Sequence, residues 1–447
     1  FSPAGVPLHA QSATAVSDAD AAWPSSSLPA DPIDAGAAAG EEVLLDLMER
    51  FAALDDFRAR KWVAHPLPVV LAVAAAAVVT GARSFAAIAS WVADLPAEIL
   101  TVLYDRCPAT APAGQAHHQR RPSKLTIWRV ETGIDAGQFD ATVGAWLLDR
   151  ATQNLPRQPV QDHAGDHEPT PAPEPEPVLG PWLADEHGAL SVDGKTVRGA
   201  VDAEGNQVHL LAAMTHHQGL VAGQVEVGAK TNEIPMLPTL LDQFDISGWT
   251  IAADALHTQR ATANYLRRRG AHFCFCVKEN QPNLFSALSD LPWAQPSISD
   301  DHTDRGHGRV ERRTIRVLPA PTTTGFPHLR QAYLIERYVS DLAGNTVSAV
   351  AALGITSLPA TRADPARLAA ITRNHWGIES LHWLRDTVYR EDDSRVRTRS
   401  GPRIMAALRN LAIGAIRLTG RTGITETTRW ASRYTHRPAF QILRLTT

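Results

Sequence analysis

Two aspartates stand where apolar runs stop: Asp193 closes G-A-L-S-V-D, and Asp254 closes W-T-I-A-A-D. Each run reads as a buried strand, which puts both carboxylates at strand ends. A carboxylate there is costly unless water or a cation balances it. On adjacent strands the pair could hold divalent ions, with a third carboxylate supplied by a packed helix. Hard oxygen ligands suit Mg²⁺ or Mn²⁺. Two such ions about 4 Å apart can activate an attacking hydroxyl and stabilise a leaving oxygen. Alone, either aspartate reads as a turn or helix-cap residue; together they make a site.

The third carboxylate must come from later in the chain. The stretch R-N-H-W-G-I-E-S-L-H-W-L-R-D offers Glu379, with His375 one turn before it, His382 three residues after and Trp383 one turn after. These share one broad helical face. Asp386, Glu391, Asp392 and Asp393 are rivals, and a surface salt bridge to Arg385 is the other reading of Glu379.

The elements that must position these groups follow from periodicity. After Asp193 come strand candidates at 208–214 and 220–227, a helix near 233–243, the strand ending at Asp254, a basic helix from Ala261 to Arg269 and the strand H-F-C-F-C-V-K. Three strands, helix, strand, helix, strand is the order of a ribonuclease-H-like α/β core. Residues 300–360 read as a β-rich insertion, before a long helix beginning near Asp364 and a helical C-terminal part over 361–447 that carries the third carboxylate. The first part of the core spans 183–299.

Upstream, residues 41–154 read as a helical N-terminal domain, with Ser84 and Ser123 as helix caps. Lys124 and Arg129 could belong to a helix-turn-helix module; a simple helical bundle fits equally. The Ala/Val run Leu67–Val79 is too short to span a bilayer and reads as a buried helix. Residues 1–40 are read as disordered, and the Pro/Glu-rich stretch 155–182 as a linker.

Net charge of −4 conceals a division along the chain. Residues 361–447 hold sixteen arginines against seven acids, whereas 1–60 and 162–190 are acidic. The basic end could track phosphates, or could be a solvated helical surface. Three cysteines, Cys107, Cys274 and Cys276, make no secreted disulfide framework and fit a reducing, cytoplasmic setting; Cys274 and Cys276 read as core.

Seven blocks, in order, resemble the DDE insertion-sequence transposases of the H-repeat-associated (ISAs-type) family: D-G-K-T-V-R-G at 193–199, K-T-N-E-I-P at 230–235, A-D-A-L-H-T-Q at 253–259, V-K-E-N-Q-P-N-L at 277–284, R-G-H-G-R-V-E-R-R at 305–313, R-N-H-W-G-I-E-S-L-H-W at 373–383 and E-D-D-S-R-V-R-T at 391–398. D-D-F-R-A-R-K-W-V-A-H-P-L and G-A-R-S-F-A-A-I-A-S-W resemble that family's N-terminal associated region. The resemblance implies cutting and strand transfer at a mobile element's inverted-repeat ends, with Asp193, Asp254 and Glu379 as ligands of two Mg²⁺ or Mn²⁺ ions. It also implies double-stranded DNA as partner, a homodimer, and action at the bacterial nucleoid. In one respect the chain departs from better-studied cousins: His375 and Asp386 stand where those carry arginine and lysine around the glutamate.

Supporting DNA contacts are expected from Lys195, Arg198, His257, Lys278, Asn280, Arg309, Arg312, His375, Arg395 and Arg397, with Gln281, Arg305 and Arg313 beside them. Each has a plainer reading: strand-edge surface for Lys195 and Arg198, a helix cap for His257, a solvated hairpin face for the arginines. Trp376 and Trp383 could stack on a flipped base, or pack on the core. The rival functions are a nuclease that cuts without joining, a domesticated copy that binds DNA without catalysis, and an assembly protein.

Overall fold

The computed structural model describes residues 46–59, 63–107, 120–153, 188–201, 204–306, 308–421, 423–433 and 436–446. The expectations for residues 1–40 and for the 155–182 linker lie outside the described residues. The architecture is mixed α/β. Six helices come first: α1 (Leu47–Ala52), α2 (Leu67–Val79), α3 (Phe85–Ala93), α4 (Ala97–Asp105), α5 (Lys124–Gly133) and α6 (Ala136–Gln153). All thirteen residues of α2 are buried. Ser84 and Ser123 cap α3 and α5 by accepting the Ala87 and Thr126 backbone N–H groups. Among the described residues no single helix is long and apolar enough to cross a membrane.

One nine-stranded sheet then forms from β1 (Ala189–Val201), β2 (Gln207–Thr215), β3 (Val221–Val227), β4 (Thr250–Ala253), β5 (His272–Val277), β6 (Asp300–Gly306), β7 (Arg309–Pro319), β8 (Gln331–Asp341) and β9 (Thr346–Thr356). Its order is β3-β2-β1-β4-β5-β9-β8-β7-β6. The pairings β1–β4 and β4–β5 are parallel and all others antiparallel. Helices α7 (Glu233–Leu241), α8 (Arg260–Arg268) and α9 (Pro282–Ser289) connect the strands of the first half. The strands expected as an insertion extend the same sheet, because β9 returns to pair with β5.

Two expectations about element bounds need correction. β1 does not end at Asp193: it loses its β4 partner after Val192 but continues its ladder with β2 to Val197. The long helix from Asp364 is two, α10 (Pro365–His375) and α11 (Gly377–Thr387), broken at Trp376. Gly377, a poor helix former, follows the break and lies against Met214, where a Cβ would come within 3.2 Å of the methionine's terminal methyl.

Helices α12 (Gly401–Leu418), α13 (Ile424–Arg433) and α14 (Arg437–Ile442) complete the chain. Residues of α1–α6 and of α11–α14 belong to one apolar core, together with Met214, Leu220 and Val221. The segments on either side of residues 154–187 therefore share one core, and the sheet with α7–α9 builds a second. Close approach makes this possible. At Gly144 of α6 a Cβ would overlap the Ala222 backbone of β3, so only glycine lets the helix lie so near the sheet.

Candidate active site

The last parallel pair between β1 and β4 is Val192 with Ala253. Asp193 and Asp254 are thus the next residues on neighbouring strands, where β4 ends and β1 runs on beside β2. Asp254 also caps the short 3-10 turn Ala255–His257, accepting the Leu256 N–H at 3.0 Å. The cap reading and the site reading coexist there. Asp193 keeps 28% of its side chain accessible.

Glu379 lies in the first turn of α11, bracketed by two histidines. His382 Nδ1 is 3.5 Å from Asp193 Oδ2, and His375 sits in the field of Asp254. The helix pair therefore packs beside β1 and β4, with Glu379 between the two histidines along the chain. Burial, then Glu233, Asp254 and Glu379, push the Asp193 carboxyl up to about 7, against a backbone hydrogen bond from Gly194. Glu379 is raised by burial, opposed by Lys278. Burial drives His375 down to about 4 and His382 to about 3, so both imidazoles are neutral at pH 7 and add no positive charge.

The rival carboxylates are each held by a cation. Asp386 accepts from Lys195 at 2.7 Å, and Asp392 lies 3.5 Å from Lys195 and 3.4 Å from Arg198. Glu391 is fully buried between Arg385 at 2.8 Å and Arg409 at 2.7 Å, and Asp393 pairs with Arg390 at 2.6 Å. Arg385 thereby pairs with Glu391 rather than with Glu379.

Three of the residues expected to meet DNA turn inward. Lys195 is buried in its pair with Asp386, because its alternate-strand position faces the 391–393 turn. His257 is 1% exposed and donates toward Glu233. The His375 ring is enclosed, and its Nδ1 has no partner. Arg198, Lys278, Asn280, Arg395 and Arg397 are exposed; Asn280 holds the Ala255 carbonyl at 2.7 Å and Arg397 the Gly199 carbonyl at 3.2 Å. On the hairpin, Arg312 is paired across the ladder with Asp301, Arg313 pairs with Glu311, and Arg309 is half-buried. Arg313 and Arg337 flank the Trp376 ring. Gln281 bonds Gln259 at 3.2 Å, and Arg305 is exposed. Trp383 is half-buried.

Sequence reasoning missed Glu233. Its carboxylate accepts from His209 Nε2 at 2.8 Å and His257 Nε2 at 3.2 Å. Against burial, these donors hold it down to about 2. An acid in a helix's first turn has an ordinary explanation in the helix dipole, so only the K-T-N-E-I-P block around it gave a signal. A cleft of about 380 Å³ opens beside it, lined by Thr196, His209, Glu233 and Leu256 among others.

Three carboxylates with neutral imidazoles behind them are hard donors of the kind that suit Mg²⁺ or Mn²⁺. Among the described residues no three carboxylate, histidine or cysteine side chains already converge tightly enough to hold one ion.

Comparison with known proteins bears on this arrangement. The family model described as Transposase DDE domain matches residues 185–414, and the one described as DDE_Tnp_1-associated matches residues 48–147. YbfL and the H repeat-associated YhhI, both of Escherichia coli strain K12, are each 28% identical over 255 residues, 53% of this chain and 67% of theirs. The cryo-EM structure of a piggyBac transposase synaptic complex with hairpin DNA matches with TM-score 0.32 and 10% identity, over 57% of this chain and 53% of that one. That likeness is too slight to carry an argument.

Proposed function

This chain belongs to the Transposase DDE domain family, and on that premise we propose that it cuts and rejoins DNA at the ends of an insertion sequence through Asp193, Asp254 and Glu379. The observation that carries the reading is geometric: the parallel pair Val192–Ala253 puts Asp193 and Asp254 at adjacent positions on neighbouring strands, and His382, three residues after Glu379 on α11, lies 3.5 Å from Asp193. Asp193 and Asp254 are half-buried and Glu379 is exposed, and paired carboxylates removed in part from water favour a cation. Two divalent ions, Mg²⁺ or Mn²⁺, would there supply positive charge to the attacking and leaving oxygens.

The half-sheet order β3-β2-β1-β4-β5 supports a ribonuclease-H-like core, with β6–β9 as its insertion and α10–α12 as its helical completion. In this reading Asp193, Asp254 and Glu379 are the residues that would hold the ions. His382 stays neutral and lies 3.5 Å from Asp193, where it would help to orient that carboxylate. The helices of 46–153 contribute to end binding, with Lys124 and Arg129 exposed on α5. Arg198, Lys278, Arg395 and Arg397 supply phosphate contacts. The protein acts as a homodimer on paired ends, in the cytoplasm and at the nucleoid.

The test is cleavage of inverted-repeat end DNA with Mg²⁺. Asp193→Asn, Asp254→Asn and Glu379→Gln should each reduce it to background, and undiminished cutting by any one removes that residue from the set. Joining of pre-cleaved ends separates a transposase from a nuclease that only cuts.

A further inference from the structure

We propose that Glu233 is a positioning residue of the carboxylate site: one carboxylate shared by His209 and His257, which locks the strand bearing Asp193 to the turn bearing Asp254. The proposal rests on the transposase reading of the three acids. Its chain of contacts begins on β1, where the Thr196 hydroxyl, three residues past Asp193, donates to His209 Nδ1 at 2.8 Å. His209 lies directly opposite Thr196 on β2. With Nδ1 accepting, Nε2 carries the proton and donates to Glu233 Oε1 at 2.8 Å. Glu233 Oε2 accepts from His257 Nε2 at 3.2 Å, and His257 ends the turn that Asp254 caps.

The His257 ring has no other hydrogen-bond partner among the described residues. His257 is 1% exposed and its Nδ1 has no partner, so the bond to Glu233 is what orients the ring. Glu233 is fixed in turn by Asn232, which caps α7 through the Ile234 N–H at 3.1 Å. The carboxylate lies against Gly194, the residue after Asp193. A Cβ there would overlap both the Glu233 carboxylate and the His209 ring. Glycine at 194 is therefore what lets a fourth acid approach Asp193 from the β2 side. Both Glu233 oxygens are engaged by imidazoles, which suits a clamp better than a cation ligand.

Glutamine separates those two roles. Its amide oxygen can accept from His209 while its amide nitrogen donates to the other tautomer of His257, which keeps the clamp and removes the charge. The full-length protein and its variants would be compared by calorimetric Mn²⁺ titration, thermal melting and end cleavage. Glu233→Gln should bind Mn²⁺ within about threefold of the parent, whereas Glu233→Ala should lose about 10–100-fold in affinity and cleavage, the range of outer-shell losses, with melting little changed. Gly194→Ala, which pushes the carboxylate aside without deleting it, should reproduce the alanine loss even where Glu233→Ala fails to fold. Parent-like Mn²⁺ affinity in Glu233→Ala or Gly194→Ala overturns the clamp, as does a glutamine variant as weak as alanine, while leaving the site reading intact. Mn²⁺ binding that survives Asp193→Asn undiminished overturns the site reading, and the clamp with it.

Discussion

Asp193 holds a proton that the unfolded chain would release. Its carboxyl rises from the ordinary 3.8 to about 7, so folding becomes less favourable as pH climbs through that window. Asparagine at 193 removes this dependence: Asp193→Asn should melt no lower than the parent at pH 8, and relatively higher there than at pH 5, although it does not cut. Glu131 of α5 offers a cleaner case away from the site. It is fully buried, neither oxygen has a partner, and burial lifts it to about 8. The stability it costs accumulates from pH 4.5 upward at about 1.4 kcal/mol per unit and levels off above its folded value. Glu131→Gln should therefore stabilise the protein increasingly from pH 5 to pH 8, measured by urea unfolding at each pH. A pH-independent difference would contradict the neutral buried acid.

At the scale of elements, the turn that follows α11 is anchored by charge. Glu391 sits between Arg385 of α11 and Arg409 of α12, all three at or below 1% exposure. Removing the acid strands two buried guanidiniums, so Glu391→Ala should cost about 3–5 kcal/mol in denaturant unfolding and loosen the helix that bears Glu379. Packing of α6 on β3 is equally exacting, since Gly144→Val would drive its side chain into the Ala222 backbone; a loss of about 1–3 kcal/mol or more is expected. Much of this was readable beforehand. The strand end before Asp254, the caps at Ser84 and Ser123 and the buried α2 all follow from local apolar pattern and cap chemistry, whereas the continuation of β1 past Asp193 does not. The break at Trp376 went unread, although Gly377 beside it, a poor helix former, is a local signal for it. Glu233 was not readable, because its meaning depends on two histidines from other elements. Pairing of β9 with β5 is likewise a long-range choice that no local run of residues announces.

For the whole molecule, net charge along the sequence overstates the surface available to DNA. Of the C-terminal arginines, Arg385 and Arg409 are buried on Glu391, and Arg403 pairs with Asp140 of α6 at 2.6 Å. Charge that looked like a phosphate-binding surface is partly spent on holding the helices together. Arg395 and Arg397 remain exposed. Replacing both by alanine should flatten the dependence of log affinity on log salt by about 1.8, at about 0.9 per lost phosphate contact. Arg312→Ala, whose charge is already matched by Asp301, should change it far less. Asp140 also accepts from Gln224 of β3, which in turn meets Asn410 of α12, so the first helices, the sheet and the last helices are bonded at one point. That shared core fixes an order of events during synthesis. The thirteen apolar residues of α2 leave the ribosome more than three hundred residues before α12, against which they pack. Until then α1, α3 and α5 cover them only in part, and a nascent chain stalled before Gly401 should leave the α12-facing side of that helix open to chaperones.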